Sequence, residues 1–147
     1  MKRIISFRGQ HQFLSNFFSS PVCYKGLTFY SAEAAFQAQK CSLDEDKIKY
    51  TLVKNPRIAK HMGKREKLPE NWDDKSYLIM KDILKEKFSN PALASKLLST
   101  GDAILIEGNH WHDNNWGDCT CEKCANIVGK NKLGTILMSI REELKAA

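Results

Sequence analysis

Apolar residues along this chain recur at two different periods, and the places where the period changes mark its elements. Short β-type runs come first: Ile4-Ile5-Ser6-Phe7, then Val22-Cys23-Tyr24 and Leu27-Thr28-Phe29-Tyr30 on either side of Lys25-Gly26. The Lys-Gly step between two such runs predicts a hairpin. From Ser31 the pattern becomes helical, with Ser31 placed to cap the first free N–H groups and the helix expected to run to about Cys41. Ser42-Leu43-Asp44-Glu45 matches a capping box, which predicts a second helix ending near Val53. Asn55-Pro56 opens a third, because proline at the first helical position loses only an N–H that has no partner there, and Gly63 is its expected stop.

Farther on, Tyr77, Met80, Ile83, Leu84 and Phe88 fall at helical spacing within Asp73 to Phe88 and predict a long amphipathic helix. Asn90-Pro91 predicts the start of another, through Leu98. Asp102 to Glu107 reads as a buried strand, and a segment rich in Gly, Asn and His follows it. Leu133, Ile136, Leu137, Ile140 and Leu144 share one face of a closing helix. The expected architecture is α+β: a mainly helical single domain over residues 1–147 with a small, largely antiparallel sheet. No repeat, low-complexity tract or linker interrupts it.

Composition changes this picture in two ways. The apolar fraction, 42% of 147 residues, supports one real core, and no apolar run reaches the roughly 18 residues of a membrane span, so a cytoplasmic protein with no membrane partner is expected. The net charge of +6 is concentrated: Lys54, Arg57, Lys60, Lys64, Arg65 and Lys67 face only Glu66 in the same stretch. Such a patch suits a phosphate-bearing ligand or a nucleic-acid backbone, and it equally suits a solvated face that keeps a protein in solution.

Three stretches carry candidate chemistry. On the helix after the hairpin, Glu33, Gln37 and Lys40 stand at i, i+4 and i+7, all within about 40° of Glu33 around the helix axis. A polar line on a helix otherwise built of small apolar residues either faces solvent or lines a cleft. The segment Glu107 to Asp118, continuing to Gly134, holds Trp111, Trp116, His110, His112, Asp113, Asp118 and several Asn. It is either a functional loop, with Trp rings to stack on a base or sugar, or an ordered loop anchored by those rings. Cys119, Cys121 and Cys124 form a C-x-C-x-x-C cluster able to give three thiolates to zinc, with His110, His112, Cys23 or Cys41 as the fourth donor; the alternative is reduced, metal-free thiols. No cofactor is expected.

Taken in order, the segments Phe13-Leu14-Ser15-Asn16-Phe17, Tyr30 to Glu33, Phe36 to Lys40, Arg57 to Gly63, Asn71-Trp72, Trp116-Gly117-Asp118, Gly129 to Gly134 and Leu137 to Arg141 resemble the NADAR family of YbiA-like N-glycosidases. The resemblance implies cleavage of a ribose C1′–N bond. Its leading form is release of ADP-ribose from ADP-ribosylated guanine, with nucleic acid as the substrate carrier; phosphorylated riboflavin-biosynthesis intermediates, and a non-catalytic ADP-ribose or NAD module, are the alternatives. It implies Glu33, Lys40 and Asp118 as catalytic residues. Around them it implies Asn16, Phe17, Gln37, Trp72, Trp116, Gly117 and Asn131 as substrate-binding, and Arg57 in the basic segment would hold phosphate. Two departures stand near these positions: Ala34-Ala35 replace bulkier or polar residues, and the thiol cluster replaces a Gly-rich stretch.

Overall fold

A computed structural model of the chain describes residues 2–147, and its backbone falls into two compact units, residues 16–90 and residues 2–15 with 91–147. Both are built from the elements that the period changes delimit.

In the first unit, β2 (Val22–Tyr24) and β3 (Leu27–Phe29) pair antiparallel with Val22 opposite Phe29, so Lys25-Gly26 is the turn. Both turn residues have positive φ, 48° and 82°, the conformation that a tight hairpin demands. The chain then enters α1 (Ala32–Ala38), whose first turn is capped by the Ser31 hydroxyl accepting from the Ala34 N–H at 3.1 Å. Every residue of α1 is buried, because α2 (Asp44–Thr51), α3 (Pro56–Lys64), α4 (Trp72–Lys87) and the hairpin all pack against it. Its small side chains, Ala32, Ala34, Ala35 and Ala38, are what allow so many neighbours to approach.

Three expectations are corrected in this unit. The first helix ends at Ala38 and turns through Gln39 and Lys40, short of Cys41. The Ser42–Glu45 box does not form: the second helix starts after Leu43 with no side-chain cap, and three acidic residues in its first turn offset the exposed N–H groups instead. Gly63 is not a stop. It lies inside α3, facing α1, where any side chain would run into the Gln37 carboxamide.

The second unit sets β1 (Arg3–Ile4) beside β4 (Ile104–Leu105), with α5 (Pro91–Ser99) and α6 (Lys132–Ala146) packed together and α6 against β4. A 3-10 helix, Gly9–Leu14, buries Phe13 and Leu14. The β1–β4 ladder is parallel, and so is a second short pair, β5 (Gly108–Asn109) with β6 (Asp118–Cys119). Among the described residues only the hairpin is antiparallel, so the largely antiparallel sheet expected from the sequence is three two-stranded ladders of mixed sense. Connectivity permits this for β1 and β4, which most of the chain separates, leaving room for the crossover that a parallel pair needs. The α+β, mainly helical class stands.

Leu133, Ile136, Leu137 and Ile140 fill the buried face of α6, as their spacing predicts. Buried among them, Arg141 donates to Thr100 Oγ1 and to the Ala103 carbonyl, both at 2.8 Å, which ties the end of α5 to the strand that follows. No helix among the described residues is long and apolar enough to cross a membrane.

Candidate active site

The side chains proposed from sequence fall into two groups, one in each unit. The first is assembled on α1. Glu33 and Gln37, one turn apart, are 7% and 6% exposed, and the Gln37 amide donates to Glu33 Oε1 at 2.9 Å. Because a carboxylate can only accept, this bond fixes the amide orientation and sends the Gln37 carbonyl oxygen toward Gly63 of α3. There that oxygen is buried with no hydrogen-bond donor among the described residues. Asn16 accepts at its backbone carbonyl from the Glu33 N–H (3.0 Å), and its amide donates to Met80 Sδ (3.4 Å). Asn16 Oδ1, like Gln37 Oε1, is buried and accepts nothing from the described residues. Two orphaned acceptors beside a buried carboxylate are costly in a finished core and inexpensive where a ligand donates to them.

Lys40, expected on the same helix, lies instead in the turn after α1, its N–H on the Gln37 carbonyl at 3.1 Å. Half-burial lowers its pKa below that of a free lysine; the carboxylates of Glu33 and Glu66 oppose the shift and Lys64 adds to it. An amine in that state spends more of its time unprotonated than a surface lysine does. Trp72, the first residue of α4, packs its ring against Phe36 of α1 with centroids 5.3 Å apart, and it is largely buried. Phe17 is half-buried with Lys60 over its ring at 5.9 Å.

The two faces of α3 explain how the basic segment is presented. Ala59 and Gly63 are buried on the face toward α1, while Arg57, Lys60 and Lys64 share a flanking face. Arg57 is exposed, and its backbone N–H is held by Asn55 Oδ1 at 2.9 Å. One cluster in this unit carries no signal in the sequence. Glu66 accepts from Lys49 (2.8 Å), Tyr50 (3.2 Å) and Cys41 (3.4 Å), three residues at least sixteen positions away. Burial, with this carboxylate beside it, pushes the Cys41 thiol up to about 11 and raises the Tyr50 phenol as well.

The second group lies between β4 and α6. Side-chain bonds to backbone organise the whole segment. Asp113 Oδ1 accepts from the N–H groups of Asn115 and Trp116 (3.1 and 2.9 Å), and Asn109 Oδ1 accepts from those of Trp111 and Asp113 (3.2 and 3.1 Å). Asp118 is held at both ends: its N–H donates to the Glu107 carbonyl, and its Oδ1 accepts from the Gly129 N–H, both at 2.9 Å. Gly117 and Gly129 are glycines for lack of room, since a Cβ on either would collide with backbone of this same segment. Trp116 is half-buried under the ammonium of Lys132, 5.7 Å from its ring.

Asn131 takes a left-handed conformation (φ 51°) just before α6 and spends its amide on backbone. Its Oδ1 accepts from the Glu107 N–H (3.0 Å), and its Nδ2 donates to the Leu105 carbonyl (2.9 Å). The Trp-rich stretch is therefore an ordered loop rather than a structureless one, and Asn131 braces it.

The family model of the NADAR domain matches residues 6–145. N-glycosidase YbiA of Escherichia coli is 35% identical over 133 residues, covering 88% of this chain and 79% of that protein. An N-glycosidase of Nostoc punctiforme is 33% identical over 137 residues, 89% of this chain and 84% of its own length. A riboflavin biosynthesis protein of Vibrio vulnificus is 34% identical over 140 residues, 92% of this chain but only 36% of that longer protein. The NMR structure of the E. coli protein YbiA superposes with a TM-score of 0.83 at 33% identity, covering 99% of this chain and 88% of that one.

Proposed function

The chain belongs to the NADAR domain family, and on that premise we propose that it is an N-glycosidase that hydrolyses a ribose C1′–N bond, with ADP-ribosylated guanine in nucleic acid as its substrate. The observation that carries the reading is the polar group at α1: Glu33 and Gln37 buried on the helix, a half-desolvated Lys40 in the turn that follows it, and the orphaned acceptors Gln37 Oε1 and Asn16 Oδ1. Ribose hydroxyls are donors of the kind those two oxygens lack. The basic face of α3, with Arg57, Lys60 and Lys64, supplies charge for a diphosphate or a nucleic-acid backbone.

Cleavage builds positive charge at C1′ and the ring oxygen, which a nearby carboxylate stabilises. Glu33 has that role on α1, and Asp118 is the second carboxylate that the resemblance implies; Asp118→Asn should lower kcat if it acts on C1′, and wild-type turnover would remove it from the site. Lys40 is the nucleophile. Its neutral amine attacks C1′ of the ring-opened sugar, the C1′–N bond to the base breaks, and the base leaves with a proton. Water then hydrolyses the resulting imine, which returns the amine and releases the sugar with oxygen at C1. The lowered pKa of Lys40 favours this route over direct attack by water.

The Vibrio vulnificus relative supports a second substrate, a phosphorylated ribosylamino-pyrimidine that would release ribose 5-phosphate. Presenting both substrates in one assay separates the readings. Free ADP-ribose from guanine-modified DNA is expected. Ribose 5-phosphate alone would assign the small substrate, and tight ADP-ribose binding with neither product would make the chain a binding module.

A further inference from the structure

The thiol cluster lies outside the chemistry above, and its geometry points to a structural zinc site formed by His112, Cys119, Cys121 and Cys124. One donor atom from each of these four residues lies within 4.8 Å of the others. At Zn–S bonds of about 2.3 Å, a tetrahedral site sets its sulfurs roughly 3.8 Å apart and each sulfur roughly 3.5 Å from a ligating ring nitrogen. His112 Nδ1 stands 3.3 Å from Cys121 Sγ and 3.4 Å from Cys124 Sγ, so the ring and two thiols already have the required edges. A contraction of at most about 1.3 Å along the remaining edges closes a tetrahedron.

The other three residues weighed for the fourth ligand are placed elsewhere. Cys41 is buried against Glu66, Cys23 is exposed on the hairpin, and His110 Nδ1 pairs with the Thr120 hydroxyl at 3.1 Å.

Two further features fit a metal better than four reduced, unliganded side chains. The sulfurs receive N–H groups: Cys119 Sγ from the backbone of His112 (3.3 Å) and of Cys121 (3.5 Å), and Cys124 Sγ from the Asn114 amide (3.4 Å). Donors aimed at sulfur stabilise thiolate, the form that binds metal, and orient it. His112, whose ring meets two of the sulfurs, also adopts φ 67°, a left-handed conformation uncommon outside glycine.

Three thiols and one imidazole are soft donors of the zinc type, and with four protein ligands the coordination shell is complete, so this ion holds structure and takes no part in the ribosyl chemistry. Binding expels three thiol protons to solvent and leaves a site of net charge −1. Cys119 directly follows Asp118, and both belong to β6. The ion would therefore clamp the strand that carries Asp118.

Metal analysis of the full chain purified from zinc-supplemented cells should find about one zinc per chain. After stripping, added Co2+ should give the intense visible d–d bands and sulfur-to-metal charge-transfer absorption of a tetrahedral thiolate site. Cys121→Ser and His112→Asn should each weaken Co2+ binding by more than the roughly 10–100-fold that an outer-shell change costs, while Cys23→Ser leaves it unchanged. Wild-type protein with no stoichiometric metal and no tetrahedral Co2+ spectrum would overturn the proposal, whatever the variants do, and so would stoichiometric iron or copper in place of zinc.

Discussion

Lys40 is the residue on which the proposed chemistry turns. Its pKa is lowered chiefly by desolvation, and the carboxylates of Glu33 and Glu66 keep the shift from going further. An amine so placed should become nucleophilic at lower pH than a surface lysine, so turnover is expected to rise with pH as Lys40 deprotonates, below the ordinary lysine range. Lys40→Arg preserves the charge and removes the nucleophile. The expected result is a fall in kcat of about 10²–10⁴-fold with KM little changed, together with loss of the covalent adduct that borohydride traps in the wild type. Retention of both would move the reaction to direct water attack. The helical period alone put Glu33 and Gln37 on one face, because i, i+4 spacing is a local property. Local spacing does not reveal which side of that face is buried, nor that Gly63 and Asn16 meet it, since those contacts join residues distant in sequence.

Among the elements, glycines mark where backbones come closest. Gly63 of α3 faces the Gln37 carboxamide, the flexible end of a side chain, whereas Gly134 in the first turn of α6 faces the Leu105 carbonyl, which is fixed in β4. The same substitution should therefore act differently at the two sites. Gly134→Ala meets backbone that cannot yield, and a loss of about 2–3 kcal/mol is expected in denaturant unfolding. In Gly63→Ala the gain of about 1 kcal/mol in helix propensity offsets much of the crowding, so stability should change by less than about 1 kcal/mol. Activity should nonetheless drop, because Gln37 must swing away from Glu33.

The turn of the hairpin was legible at Lys25-Gly26, while its second strand stops at Phe29, one residue short of Tyr30. Helices α4 and α6 were nearly as clear from their apolar periods. Less was visible where tertiary contacts decide. The strands at the start of the chain and after α5 shrink to two residues each and pair in parallel, and the Ser42 box yields to a start after Leu43. In the Trp-rich segment, composition suggested either a loop for function or a loop held by its own side chains. The hydrogen bonds of Asn109, Asp113 and Asn131 show how thoroughly it is held.

For the molecule as a whole, one buried charge should leave its mark on stability. Lys87 is 1% exposed, with its ammonium over the rings of Phe18 and Phe88, and burial pushes its pKa down to about 7. Lys87 falls four residues after Ile83 and shares the buried side of α4. Between about pH 7 and the ordinary lysine value near 10.4, the unfolded chain holds a proton that the folded chain has lost, so stability contributed by this residue rises with pH through that window. The raised values of Cys41 and Tyr50 act in the opposite sense at alkaline pH, so the comparison is made against Lys87→Met in the same buffers. Relative to that variant, the wild type should gain of order a few kcal/mol from pH 7 to 10.4; parallel curves would show that the ammonium is satisfied where it lies.

The assignment of the bond and of the residues that break it is tested most directly by following release of free ADP-ribose from DNA carrying ADP-ribosylated guanine. Wild-type protein should release it with unmodified guanine left in the strand, Glu33→Gln and Lys40→Ala should each lose at least about a hundredfold in rate, and both variants should still bind ADP-ribose. Wild-type rates in both variants would contradict the assignment of the reaction to α1, and no release by any form, with relatives of the family active beside it, would contradict the substrate.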